Sequence, residues 1–252
     1  MKLKLRAGFA GMIAYLALLP SAQATTFSFG KMDDPFSYGV CEKNEIVSYG
    51  SYIYRWDSKY DGIYWPVTDS YWLWGCPDSG FVAYPSDFEN ISDEERILIE
   101  AYLKEIYTPS GGEMTFREKR TLIEGLYHVR GMGDEFWVWF YRVLAYWADT
   151  LDGDQEKALE YRAKALALIV KELEGFLSDD DKIKNLFLAG EYSRQMGNED
   201  QMHFYFSQAK NFKWTDEEGD EQIGIPYYNE LIQEGEELGL GVLRTTESED
   251  WS

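Results

Sequence analysis

Thiols and imidazoles are scarce in this chain of 252 residues: Cys41, Cys76, His128 and His203 are all there are. A structural zinc site needs four good nitrogen or sulfur ligands, and a catalytic one needs three at fixed spacing. Neither histidine has another histidine or a cysteine at such spacing, and the His-Glu-x-x-His pair of a metalloprotease is absent. Each therefore reads as a partly buried helix residue satisfied by a hydrogen bond. Gly-x-Ser-x-Gly, Gly-x-x-x-x-Gly-Lys and Gly-x-Gly-x-x-Gly are missing too, which removes the usual support for hydrolase and nucleotide-enzyme readings. Without a Cys-x-x-Cys, thioredoxin-like exchange has no motif to rest on.

Carboxylates are the opposite case. Asp and Glu number 45 against 24 Lys and Arg, so acidic pairs arise by abundance alone. General acid and base work needs a placed pair, and neither Ser178-Asp179-Asp180-Asp181 nor Asp216-Glu217-Glu218 marks one. The first suits a helix N-terminus, where negative charge meets the macrodipole. Asp152-Gly153-Asp154-Gln155-Glu156 resembles the start of a calcium loop, but its glycine is misplaced and Ala163 stands where the twelfth-position Glu belongs, so it reads as a turn between helices.

Aromatic side chains are the other candidate chemistry. Tyr52, Tyr54, Trp56, Tyr60, Tyr64, Trp65, Tyr71, Trp72 and Trp74 crowd into 23 positions. Core or inter-domain packing is the favoured account, because a small sheet poor in aliphatics must fill its interior with rings. Exposed rings would instead stack on sugars or grip a partner, with Tyr64, Trp65, Trp72 and Trp74 as the surface.

The elements that would position these groups change character near residue 90. Residues 25–91 are rich in aromatics, glycine and turns, with Tyr52-Ile53-Tyr54, Ile63-Tyr64-Trp65 and Tyr71-Trp72-Leu73-Trp74 suited to strands of a small β module. Residues 92–244 carry helical patterning. Ser92-x-x-Glu95 and Thr115-x-x-Glu118 form capping boxes, the first ahead of Ile97, Leu98, Ala101, Tyr102 and Ile106 on one expected helix face. Further helices are expected at about 134–150, 154–176, 180–196, 198–213 and 226–238, and residues 245–252 form a short acidic tail. The fold class is mainly α, with a small N-terminal β module.

Ala145, Gly153, Tyr161 and Ala165 recur as Ala189, Gly197, Tyr205 and Ala209 at an offset of 44 residues. Small, turn, aromatic and small residues in fixed order suit stacked helical hairpins, with close helix approach at alanine, the turn at glycine and the ring filling between hairpins. The segments 158–165 and 202–209 resemble the second helix of a tetratricopeptide repeat. Around the cysteines, Tyr71-Trp72-Leu73-Trp74, Cys76-Pro77-Asp78-Ser79-Gly80-Phe81 and Asp87-Phe88 resemble a bacterial family of uncharacterised function, in which two Cys-x-x-Cys knuckles precede a tetratricopeptide-like region. That resemblance implies four thiolates on a metal. Asn44 and Ser79 stand where two of them belong, so no metal is expected here. One cysteine from each knuckle of such a site lies close to bonding distance, which in an oxidising compartment implies a Cys41–Cys76 disulfide; two free buried thiols are the alternative.

Residues 1–24 supply that compartment. Lys2, Lys4 and Arg6 precede an apolar run ending at Pro20 and an Ala22-x-Ala24 close, the form of a cleavable signal peptide resembling a bacterial Sec signal. The expected location is periplasmic, with secretion as the alternative, and no later stretch is apolar enough to span a bilayer. Removing 1–24 moves the formal net charge from -21 to -24, a surface that repels nucleic acid. The expected function is a non-catalytic protein-protein interaction module without cofactor, part of an envelope assembly, with an unidentified protein or peptide as partner. A glycan-binding module is the second expectation, and an enzyme with an unlocated carboxylate pair the third.

Overall fold

The structure, a computed structural model, describes residues 26–48, 56–88, 90–215 and 219–243. The expected signal segment, Tyr52, Tyr54, the acidic run 216–218 and the tail from 245 lie outside them, and nothing is described of the Trp56 side chain.

The N-terminal part begins with β1 (Thr26–Asp33) and β2 (Val40–Ser48), a long antiparallel pair turned at Asp34, whose carboxylate accepts from Phe36 N–H at 2.8 Å and from Ser37 Oγ at 2.7 Å. The short pair β3 (Trp56–Ser58) and β4 (Ile63–Tyr64) follows. Next come β5 (Trp74–Gly75) and β6 (Val82–Ala83), which complete a four-stranded sheet in the order β1-β2-β5-β6. The expected strand over 71–74 forms only in part. The Asp69 carboxylate accepts from Tyr71 N–H at 2.9 Å and bends Ser70–Trp72 into a 3₁₀ turn, so pairing starts at Trp74.

One helical turn, α1 (Pro85–Phe88), leads to the helical part: α2 (Asp93–Ile106), α3 (Phe116–Val129), α4 (Asp134–Tyr146), α5 (Gln155–Leu173), α6 (Asp179–Gln195) and α7 (Glu199–Lys210). Both capping boxes are formed, with Ser92 and Thr115 accepting from the N3 backbone and Glu95 and Glu118 reaching back; each cap contributes about 1 kcal/mol. On α2 the inward face differs from the expected one. Ile99 and Leu103 are buried, while Ile97, Leu98, Ala101 and Ile106 face solvent. Apolar residues occupy both sides of this helix, so periodicity alone does not choose between them.

The expected helix over 198–213 stops at Lys210. A hairpin of β7 (Lys213–Thr215) and β8 (Glu221–Ile223) intervenes before α8 (Pro226–Leu238). Gly224, at φ 68°, closes it where the Trp214 indole donates to its carbonyl at 3.1 Å, a conformation helix-prone residues do not supply.

One hydrophobic core runs without interruption from Cys41 and Phe81 in the sheet, through Ile123, Phe140 and Trp147, to Phe206 and Ile232. The sheet and the helices are also tied by buried charge. Lys119 of α3, 4% exposed, reaches Glu42 on β2 and donates to the Leu73 carbonyl at 3.2 Å. Among the described residues no helix is long and apolar enough to cross a membrane.

Candidate functional site

A cleft of about 270 Å³ opens where α3, the end of α4 and the start of α5 meet. Its floor depends on how α4 ends. Trp147–Leu151 widens into a π turn, with Asp152 N–H donating to the Trp147 carbonyl at 3.2 Å. Such turns interrupt a helix locally and are frequent at functional sites. Gly153, at φ 66°, then reverses the chain, and Asp154 starts α5 by accepting from Lys157 N–H at 2.9 Å. Trp147 is 1% exposed and meets the edge of Phe116 at 5.5 Å.

The cleft's polar groups come in linked sets. Arg120 on α3 forks onto Asp152 through both terminal nitrogens, each at 2.8 Å, and lies over the Phe116 ring at 5.1 Å. Arg117, one turn back and open to solvent, stands 3.8 Å from the same carboxylate. Hydrogen bonds from Arg120, opposed by burial and helped by the two guanidinium charges, hold the Asp152 carboxyl below its usual range. On the facing wall, Tyr161 donates to Glu124 at 2.5 Å; burial, then this carboxylate, push its phenol well above the usual value. Lys157 pairs with Glu160 at 2.9 Å and stands 4.8 Å from the Tyr161 ring centre. Two N–H groups of the lining residues, Arg120 Nε and Trp147 Nε1, are buried with no acceptor.

Of the residues of the 44-residue echo, Tyr161 lines this cleft. Ala145, Ala165, Ala189 and Ala209 are all 0% exposed at the α4·α5 and α6·α7 hairpins, and Tyr161 and Tyr205 are buried. Gly153 and Gly197 hold φ values of 66° and 74°, the left-handed conformation a turn requires. Asp154 and Asn198 are equivalent caps, the latter accepting from Gln201 N–H. Gly190 matters for a different reason: an added Cβ would lie 2.2 Å from a Phe206 ring carbon, so α6 and α7 approach at glycine as well as alanine.

Cys41 and Cys76 are joined in a disulfide with an S–S distance of 2.07 Å, both buried. Asp34 lies within 4.8 Å of both sulfurs, the one such grouping of potential metal ligands among the described residues. It does not fit the four-thiolate metal implied by the family resemblance. The sulfurs are bonded to each other, and the carboxylate already accepts from Phe36 and Ser37. The backbone carbonyl of Asn44 accepts from the Trp74 indole at 2.7 Å, and the Ser79 hydroxyl accepts from Phe81 N–H at 3.2 Å.

Of the four rings named for the alternative surface reading, Tyr64 alone is well exposed. Trp74 follows the favoured core reading and leaves the alternative surface: it is 3% exposed, packed edge-on against Phe88, and its indole finds a partner inside the sheet. Trp72 packs against the core, and the Trp65 indole donates to Asp69 at 3.2 Å. The open aromatic surface is elsewhere: Phe27 and Phe29 on β1 meet Tyr71 at 5.0 and 5.3 Å. Both histidines are exposed rather than partly buried; His128 stacks on Trp137 at 4.0 Å, and His203 lies 3.7 Å from Glu199.

A second polar centre escaped motif reasoning. Asp61, in the loop between β3 and β4, is 2% exposed and accepts from Arg162 of α5 through two nitrogens, each at 3.0 Å, and from Ser58 at 2.8 Å. Arg142 of α4 donates to the Asp61 and Gly62 carbonyls at 2.7 Å, and Arg162 also reaches Asp149 in the π turn at 3.2 Å. The one sequence sign is Arg142 itself, a charge inside the apolar run 136–145.

Comparison with protein-family models, curated proteins and solved structures finds no match to this chain.

Proposed function

We propose that this chain is a non-catalytic interaction module exported from the cytosol, working in a periplasm or outside the cell and holding another protein or peptide. The observation that carries the reading is the cleft between α3 and α5: three consecutive helix segments form its walls, and its charged groups are committed to one another rather than poised for proton transfer. A helical array of this kind offers a side-chain surface and carries no chemistry of its own. The leader-like residues 1–24 and the Cys41–Cys76 disulfide support an oxidising compartment. The test is cross-linking of the tagged protein in living cells, with captured proteins and linked residues identified by mass spectrometry. One reproducible partner linked through Lys157 or its neighbours is the expected result; nothing beyond abundant bystanders would overturn the reading.

The alternative, a glycan-binding module, rests on the Phe27, Phe29 and Tyr71 rings, of which Phe29 is 65% and Tyr71 42% exposed. Binding of cell-wall oligosaccharide that Tyr71→Ala abolishes would favour it.

A further inference from the structure

We infer that the cleft between α3 and α5 is a carboxylate-recognition site, and that Asp152 is its tethered internal occupant. The inference rests on the interaction reading above and names the chemistry the partner presents there. Three observations converge. Two guanidiniums, Arg117 and Arg120, share the single carboxylate of Asp152. Of the other two acids in the lining, Asp154 is taken up in capping α5 and Glu124 accepts from Tyr161, so Asp152 is the acid that occupies the two guanidiniums. Arg120 Nε and the indole N–H of Trp147, itself 1% exposed, belong to the lining and have no acceptor. An orphaned buried donor of this kind costs about 1–3 kcal/mol.

Asp152 shows what chemistry the guanidinium fork accepts: a planar carboxylate, held by two parallel N–H bonds. It sits in an exposed turn, so it can leave without opening the core. An incoming carboxylate that displaces it frees Arg120 to turn its Nε toward the ligand and brings a second acceptor within reach of Trp147. The first turn of α5 adds the positive end of a helix dipole to the same wall. The volume admits the end of a peptide or one acidic side chain with its neighbours, rather than a folded surface.

The experiment titrates the full chain with three probes: tetra-alanine with a free C-terminus, its C-terminal amide, and N-acetyl tetra-alanine amide carrying one internal Glu. Binding is read by calorimetry and by ¹H–¹⁵N shifts of the Trp147 indole and Arg120 Nε–H signals, assigned with Trp147→Phe and Arg120→Lys. The expected result is binding of at least one acid probe and not the plain amide, with both signals shifting. Asp152→Ala should tighten it about tenfold by removing the competitor, and Arg117→Gln, at a solvent-exposed position, should weaken it several-fold. Preference between the acid probes assigns the carboxylate to a chain terminus or a side chain. Equal binding of acid and amide, or an Asp152→Ala affinity no tighter than the parent's, would overturn the inference. If the acid probes fail while cross-linking still captures a partner elsewhere on the helices, this assignment falls and the interaction reading stands.

Discussion

Replacing Asp61 by Asn tests whether the charge buried between the β3–β4 loop and α5 holds the two parts together. The substitution keeps the shape and removes the charge. It leaves Arg162, 4% exposed, without its bidentate acceptor and turns an amide N–H₂ toward donors. Breaking one partner of a buried ion pair costs about 3–5 kcal/mol. Asp149 still lies 3.2 Å from Arg162, so the lower end applies: about 3 kcal/mol. For a chain of this size that lowers the melting temperature by roughly 6–12 °C. The pH dependence follows from the direction of the shift. Burial alone would raise the Asp61 carboxyl, but the Arg162 charge, with hydrogen bonds from Arg162 and Ser58, outweighs it and holds the group below its usual 3.8. A depressed folded-state value contributes stability that is fully present above the unfolded value and is lost as pH falls through the folded one. Urea unfolding of both proteins should therefore give a gap that is flat from about pH 5 to 8 and closes only below about pH 4. A loss under about 1 kcal/mol at pH 7, or a gap that narrows between pH 5 and 7, would refute the reasoning.

Gly190→Ala places a methyl 2.2 Å from the Phe206 ring and should cost about 1–3 kcal/mol by calorimetry, part of it recovered by Phe206→Leu in the same background. Replacing Cys41 and Cys76 together by Ala opens a loop of 35 residues; the chain-entropy estimate is roughly 3–4 kcal/mol, measured as a lower urea midpoint that no longer responds to reductant. Arg194, fully buried, pairs with Glu191 at 2.8 Å and donates to the Gly239 and Val242 carbonyls, so Arg194→Met should cost about 3 kcal/mol and speed amide exchange over residues 239–242.

What could be read from the sequence was local. Ser92-x-x-Glu95 and Thr115-x-x-Glu118 fix helix starts because cap and acceptor are three residues apart. The spacing of Ala145, Gly153 and Tyr161 against Ala189, Gly197 and Tyr205 marks two hairpins because each residue answers a local steric need. The inward side of α2 was not legible, since Ile97, Leu98 and Ala101 compete with Ile99 and Leu103, and α3, against which α2 packs, decides. Core packing was the favoured account of the rings over 52–74, but nothing local singled out Trp74 as the one that is buried, because its acceptor, the Asn44 carbonyl, is 30 residues away. The same limit hid Asp61, whose partner on α5 is 101 residues distant, and the cleft, whose walls meet only once α4 has ended in a π turn.

These two polar centres are joined through α5, which gives the β module a bearing on the cleft. Tyr161 lines the cleft while Arg162, the next residue, grips Asp61 in the β3–β4 loop. The same guanidinium holds Asp149, two residues from Trp147 in the π turn. The turn that sets the cleft floor is thus braced from behind by a charge anchored in the N-terminal part. Asp149→Asn removes that brace while leaving the Asp61–Arg162 pair intact. Asp149 is partly exposed and holds one of several bonds to Arg162, so the stability cost is about 1 kcal/mol. The local consequence should be larger than the global one: hydrogen exchange at the Trp147 indole, whose N–H is buried without an acceptor, should accelerate more than exchange at Ile169 on α5. Uniform acceleration across both sites would mean that Asp149 contributes only to overall stability and that the module does not position the turn.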